Sequence, residues 1–386
     1  MPAEPPSRTW YYRRRNAITD QGGALGELQV RFRAAAVNTA REMGHLDPDG
    51  RGSPAHPDPS RLIYHDGKAI RQMYNTAPGD TRTITIVDPD TDEVHIEERQ
   101  KRYDRDATVH HTGDQRQIWG CKFWLAFVRG EDSYSRITLA VDRVPGVKDE
   151  QNSEADIATK NLIELAPLVP GAQGAICDTV LRGKHIDALE RHTGWIMMNP
   201  VTAERVDPKT GERIEKGRYL STETFTGPGG THQVDIWYVG GRLHRLDYTE
   251  DGIENSVPLE RVGNPIRRNT NGTFRTYVEY TVPDPGGGKP HRIMERTYNT
   301  EDDEFNRAEN IRQIPPGDPD YTRLMGRRSD AESANRQIDD HLYLRRARSL
   351  GARRQLFDLL AHGLVQNSIA LHRLRLRAGP AADMAA

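Results

Sequence analysis

The chain has 386 residues, 35% hydrophobic and 28% charged, and its 54 Lys and Arg nearly balance 56 Asp and Glu for a formal charge of -2. That length holds one large domain or two ordinary ones, and the apolar content excludes a wholly disordered chain. No apolar run approaches the roughly 20 residues that cross a bilayer, and the start, Met1-Pro2-Ala3-Glu4-Pro5-Pro6, has no charged-then-apolar leader pattern, so the expected compartment is the cytoplasm.

In chain order, Arg8, Tyr11, Tyr12 and Arg13 to Arg15 make a basic segment, and Leu25, Leu28, Phe32, Ala36 and Ala40 predict a helix over 24–43. Residues 47–60, with Pro48, Pro54, Pro57, Pro59, Gly50 and Gly52, predict a linker. A short buried strand follows at 62–66, then a polar stretch whose alternation at 83–87 resembles an edge hairpin. Strands are expected at 118–128 and 137–141, a helix at 154–166 ended by Pro167, a strand at 174–177, a short helix at 185–192 and a strand at 195–198. Strands alternating with helices predict a mixed or parallel α/β sheet covered by helices. From 201 to 309 the alternation and Gly-Gly, Asp-Gly and Asn-Gly turns predict an all-β insertion. Helices are expected beyond 330, one to about 350 and a second after Gly351.

Cys121 and Cys177 lie within apolar runs and are expected as buried free thiols. Trp119, Trp124 and Trp195 are expected in the core, and Trp237 and Tyr238 as candidates for base stacking. Residues 321–380 hold twelve arginines, no lysine and five carboxylates, a basic end of the kind that binds phosphates.

Three acids stand out. Asp66 ends the run Leu62-Ile63-Tyr64, Asp178 ends Ala175-Ile176-Cys177, and Glu332 opens an arginine-rich helical stretch. Two strand-end carboxylates and one on a helix form an oxygen-donor set for paired divalent cations about 4 Å apart, which suits in-line phosphoryl displacement. Gly67 beside Asp66 permits close approach of backbone or substrate. The alternative roles are a turn former for Asp66, an N-cap for Asp178 and a Ser329–Glu332 capping box.

The stretch Leu324-Met325-Gly326-Arg327-Arg328-Ser329-Asp330-Ala331-Glu332, continuing through Asn335-Arg336 to Asp339-Asp340 and then Arg345-Arg346, resembles the C-terminal part of DDE transposases of bacterial insertion sequences. It resembles the subgroup with a β-strand insertion, in which an arginine stands four residues before the helical glutamate, as Arg328 does here. Over 62–375 the order is strand with Asp, antiparallel strands, helix, strand with Asp, β insertion, helix with Glu. The resemblance implies a ribonuclease-H-like catalytic domain formed by 61–200 and 310–378, with 201–309 inserted and 1–60 a shortened end-recognition region and linker. It implies Asp66, Asp178 and Glu332 as catalytic residues holding two Mg2+ ions, with Mn2+ as substitute. Asp106, in Asp106-Ala107-Thr108, is the alternative first acid. The implied DNA contacts are Arg327, Arg328, Arg336, Arg345 and Arg346. The implied partners are double-stranded DNA and a second copy of the chain, at the nucleoid. Where the family has a tyrosine and a lysine, this chain has Met325 and Asp339, and Arg336 or Arg345 can supply the missing charge. An inactive DNA-binding remnant of such an enzyme is the second implied function.

Overall fold

The computed structural model describes residues 7–20, 22–89, 91–111, 117–146, 152–201, 204–206, 213–215, 217–227, 230–248 and 254–378. Residues 1–6, on which the leader reading rests, lie outside them. Helices α1 (Arg8–Asp20) and α2 (Ala24–Glu42) precede the linker. Strand β1 (Leu62–Arg71) is followed by β2 (Thr81–Val87), β3 (Val94–Gln100), β4 (Thr108–His111), β5 (Gln117–Val128) and β6 (Ile137–Val144). Then come α3 (Glu154–Leu165), β7 (Gly174–Ile176), α4 (Gly183–Thr193) and β8 (Ile196–Met198).

These elements form a mixed α/β layer. β6, β5 and β1 are an antiparallel set, and β7 and β8 continue it parallel to β1, with β4 pairing the start of β5. The strands that sequence marked as apolar are the buried ones: Ile63, Tyr64, Phe123 and Trp124 are fully enclosed. β1 runs five residues beyond Asp66 because pairing with β5 holds it from Tyr64 to Arg71. Tertiary pairing here overrides the poor strand propensity of Asp, Gly and Lys. α3 starts on a capping box between Ser153 and Asp156, and α4 stops at Gly194, whose φ of 67° is the left-handed conformation of a C-terminal cap.

The insertion holds β9 (Glu204–Val206), β10 (Arg213–Glu215), β11 (Gly217–Gly227), β12 (Gly230–Val239), β13 (Arg242–Tyr248), β14 (Glu254–Pro258), β15 (Glu260–Gly263), β16 (Ile266–Arg268), β17 (Phe274–Val282) and β18 (His291–Arg296). β11 to β14 form one four-stranded sheet and β15 to β18 another, around a core of their own that includes Phe225, Tyr238, Val278 and Tyr280. Four helices close the chain: α5 (Arg307–Asn310), α6 (Pro319–Met325), α7 (Ser329–His341) and α8 (Ala352–Ala378).

Several expectations are corrected. α1 is a helix that spacing did not predict. α7 ends at His341, well short of 350, because Leu344 and Arg345 take positive φ and the chain turns so that Ala347 N donates to the Arg71 carbonyl at 2.7 Å. Trp124 and Trp195 are core, but Trp119 is 37% exposed where β5 runs out to the sheet margin. Tyr238 cannot stack on bases: it is buried, and its hydroxyl accepts from Gly241 N at 2.9 Å. Cys121 and Cys177 are buried free thiols, as expected, and burial pushes the Cys121 thiol up to about 12. Among the described residues no helix is long and apolar enough to cross a membrane.

Candidate active site

The register of β1 on β7 pairs Leu62 with Gly174 and Tyr64 with Ile176. Two residues further along each chain stand Asp66, still within β1, and Asp178, beyond the last paired residue of β7. Their charges interact. Burial first, and then the Asp178 carboxylate, raise the Asp66 carboxyl to about 6, while the Gly67 N–H and Arg328 oppose the rise. A buried carboxylate whose proton affinity is raised by a neighbouring carboxylate is an arrangement that a cation relieves.

Helix α7 packs along this face of β1. Asn335 Nδ2 donates to Asp66 Oδ2 at 2.7 Å, and Lys68 Nζ meets Asp339 Oδ2 at 2.5 Å. The two contacts share one geometry. Two residues of strand advance roughly 6.7 Å and four residues of helix about 6 Å, so Asp66 and Lys68 match Asn335 and Asp339. Asp66 also accepts from Gly67 N at 2.8 Å, and Asn335 Oδ1 is buried without a partner among the described residues.

Glu332 lies three residues before Asn335, so it sits roughly 60° round the helix from the Asp66-facing direction. Its side chain is 58% exposed and accepts from Arg328 Nη2 at 2.9 Å. Asp66 and Asp178 are thus near enough for their charges to interact, whereas Glu332 is turned away and paired with Arg328. Among the described residues no three His, Cys, Asp or Glu side chains converge closely enough to enclose a metal ion.

The opposite face of β1 is closed. His65 is buried, accepts from Trp124 Nε1 at 3.1 Å, and burial lowers it to about 4, so it is neutral, with Nε2 unpartnered among the described residues. A side chain at Gly67 would strike Glu154, which is paired to Lys122 at 2.5 Å. Gly67 thus fits packing of α3 on this sheet face. Asp106 is placed elsewhere: it accepts from Ala352 N at 2.8 Å, at the start of α8, and from Arg143 at 3.2 Å. It is a helix cap.

Of the expected DNA contacts, Arg328 and Arg345 are exposed. Arg336 opens on a groove of about 350 Å³ between β5, β6, α7 and α8, next to Arg136 and Arg373. Arg327 is mostly enclosed and donates to the Gly130 carbonyl at 3.1 Å, and Arg346 reaches the Gln72 carbonyl at 3.3 Å. Those two serve the fold. Asn335 and Lys68 are the site neighbours that sequence reasoning missed; the spacings Asp66–Lys68 and Asn335–Asp339 carry the signal, but only once the helix is known to lie along β1. Comparison with protein-family models finds no match to this chain, and comparison with curated proteins finds none either.

Proposed function

We propose that this protein is a DDE-type transposase, a nuclease and strand transferase acting on double-stranded DNA, with Asp66, Asp178 and Glu332 as its acids. The observation that carries the reading is the pair Asp66, on β1, and Asp178, just past the parallel β7, with Asp66 raised to about 6 by burial and by its partner. The order of antiparallel strands, helix, parallel strands, β insertion and helix agrees with a ribonuclease-H-like domain, which supports it.

The donor set suits a hard divalent cation. Mg2+ takes one or two carboxylates and keeps much of its water, and the unpartnered Asn335 Oδ1 adds an oxygen beside them. Asp66 and Asp178 would hold the ion, with Glu332 released from Arg328 as the third acid. Mg2+, or Mn2+ in its place, would supply the positive charge that lowers the pKa of an attacking water or 3′-hydroxyl and stabilises the leaving oxygen. Asn335 orients the Asp66 carboxylate. Arg328, Arg336 and Arg345 face solvent, where guanidinium groups grip phosphates.

Magnesium-dependent nicking of a supercoiled plasmid carrying the element ends tests this. Glu332→Gln is expected to abolish nicking and leave DNA affinity nearly unchanged; equal loss of both would count against the assignment. The Arg328–Glu332 ion pair favours a second reading, a DNA-binding remnant without activity. Binding to the ends with no nicking by the unaltered chain, in Mg2+ or Mn2+, would select it.

A further inference from the structure

The groove between β5, β6, α7 and α8 gathers positive charge that the chain leaves without counter-ions. Arg136, Arg336 and Arg373 all line it, and among the described residues none of the three is in an ion pair. Arg136 is partly buried and gives three of its five N–H groups to neutral acceptors: the Asp330 carbonyl at 2.9 Å, Ser333 Oγ at 2.8 Å and Gln337 Oε1 at 2.8 Å. The carboxylate whose charge acts on it, Asp330, is paired instead with Arg129 at 2.9 Å. In the lining, Asp340 is the one carboxylate set against the three arginines. Elsewhere on α8 the pattern is the reverse, since Arg354, Arg375 and Arg377 each have a carboxylate partner. A partly buried guanidinium without a counter-ion is costly, and an anion in the groove would offset that cost.

The remaining lining indicates what the anion is attached to. Tyr134 is 59% exposed, and the guanidinium carbon of Arg373 lies 4.8 Å from the centre of its ring. Exposed tyrosine and arginine planes are surfaces on which a planar ring stacks. Leu125, Phe127, Ile338 and Ala370 add a buried apolar wall. A bare phosphate would leave that wall and most of the 350 Å³ unfilled, and a duplex is too large to enter.

We propose that this groove binds a nucleoside monophosphate, with its phosphate held by Arg336 and Arg373 and its base against Tyr134 and the apolar wall. Ser333, Arg336, Gln337 and Asp340 line the groove from the side of α7 turned away from Asn335 and Asp339, so the site is separate from Asp66. Arg136, Arg373 and Tyr134 have no part in the catalytic reading.

Isothermal titration calorimetry of the full-length chain tests it, with AMP, adenosine and inorganic phosphate as probes. EDTA in the buffer keeps Asp66 and Asp178 free of metal, so that they repel the phosphate. AMP is expected to bind about tenfold or more tighter than either adenosine or phosphate, because ring and charge are both required. Arg373→Ala and Tyr134→Ala alter exposed side chains, and each is expected to weaken AMP about fivefold or more. AMP binding no tighter than phosphate, or an affinity that both variants leave unchanged, would overturn the proposal. None of these readouts involves cleavage, so failure here and failure of the catalytic reading are distinguishable.

Discussion

Asp66 shows how a buried carboxylate is held at a cost. Its carboxyl lies beside Asp178, and two N–H donors, from Gly67 and Asn335, partly offset the burial. A carboxyl raised in the folded chain binds its proton more tightly there than when unfolded, so its contribution to stability is greatest below the ordinary carboxylate pKa and is lost as pH rises towards about 6. In metal-free buffer Asp66→Asn should therefore stabilise the protein at pH 7, by about 1–2 kcal/mol after allowance for solvent screening. The gain should vanish near pH 4, and thermal melts of both proteins across that range check the sign. A gain that grows on acidification would mean that the environment of Asp66 has been misread. The nearness of Asp66 and Asp178 was legible because both follow apolar runs. The placement of Glu332 on Arg328 was not, since it depends on helix rotation, which local sequence does not specify.

Elements were legible where apolar periodicity was strong. The strands of the central sheet, α3, α4 and the β-rich insertion lie close to where spacing put them. The failures share a cause in tertiary pairing: β1 is lengthened by β5, α7 is cut short by the turn that returns to Arg71, and Asp106 is taken as a cap by α8. The joints between elements were not readable at all. Glu190 on α4 is buried and raised to about 7 by that burial; it accepts from Thr276 Oγ1 at 2.6 Å and Thr297 Oγ1 at 2.8 Å, binding the helix to β17 and to the residue after β18. Glu190→Ala, which leaves the two hydroxyls only each other at 2.7 Å, should cost about 1–2 kcal/mol in chemical denaturation, and Glu190→Gln much less. Equal losses would mean that the carboxylate charge, rather than its acceptor capacity, holds the joint.

At the scale of the whole molecule, counting arginines overstates the free positive surface. Arg353 donates to the Thr19 carbonyl, Arg354 pairs with Asp20, Arg375 with Glu42 and Arg377 with Asp132, while Arg373 stacks on Tyr134. These tie α8 to α1, to α2 and to the turn between β5 and β6. The insertion is anchored in a similar way by the buried Arg261, bonded to Asp318 at 2.7 and 3.0 Å. Of the arginines named above as DNA contacts, Arg328, Arg336 and Arg345 stay exposed, and of these Arg328 is near enough to act on Asp66. The most direct test of that centre is a crystal structure grown in Mn2+, read by anomalous scattering. The account predicts a peak between the Asp66 and Asp178 carboxylates, with Glu332 turned from Arg328 towards it. An empty site at millimolar Mn2+, with the Arg328–Glu332 pair intact, would contradict it.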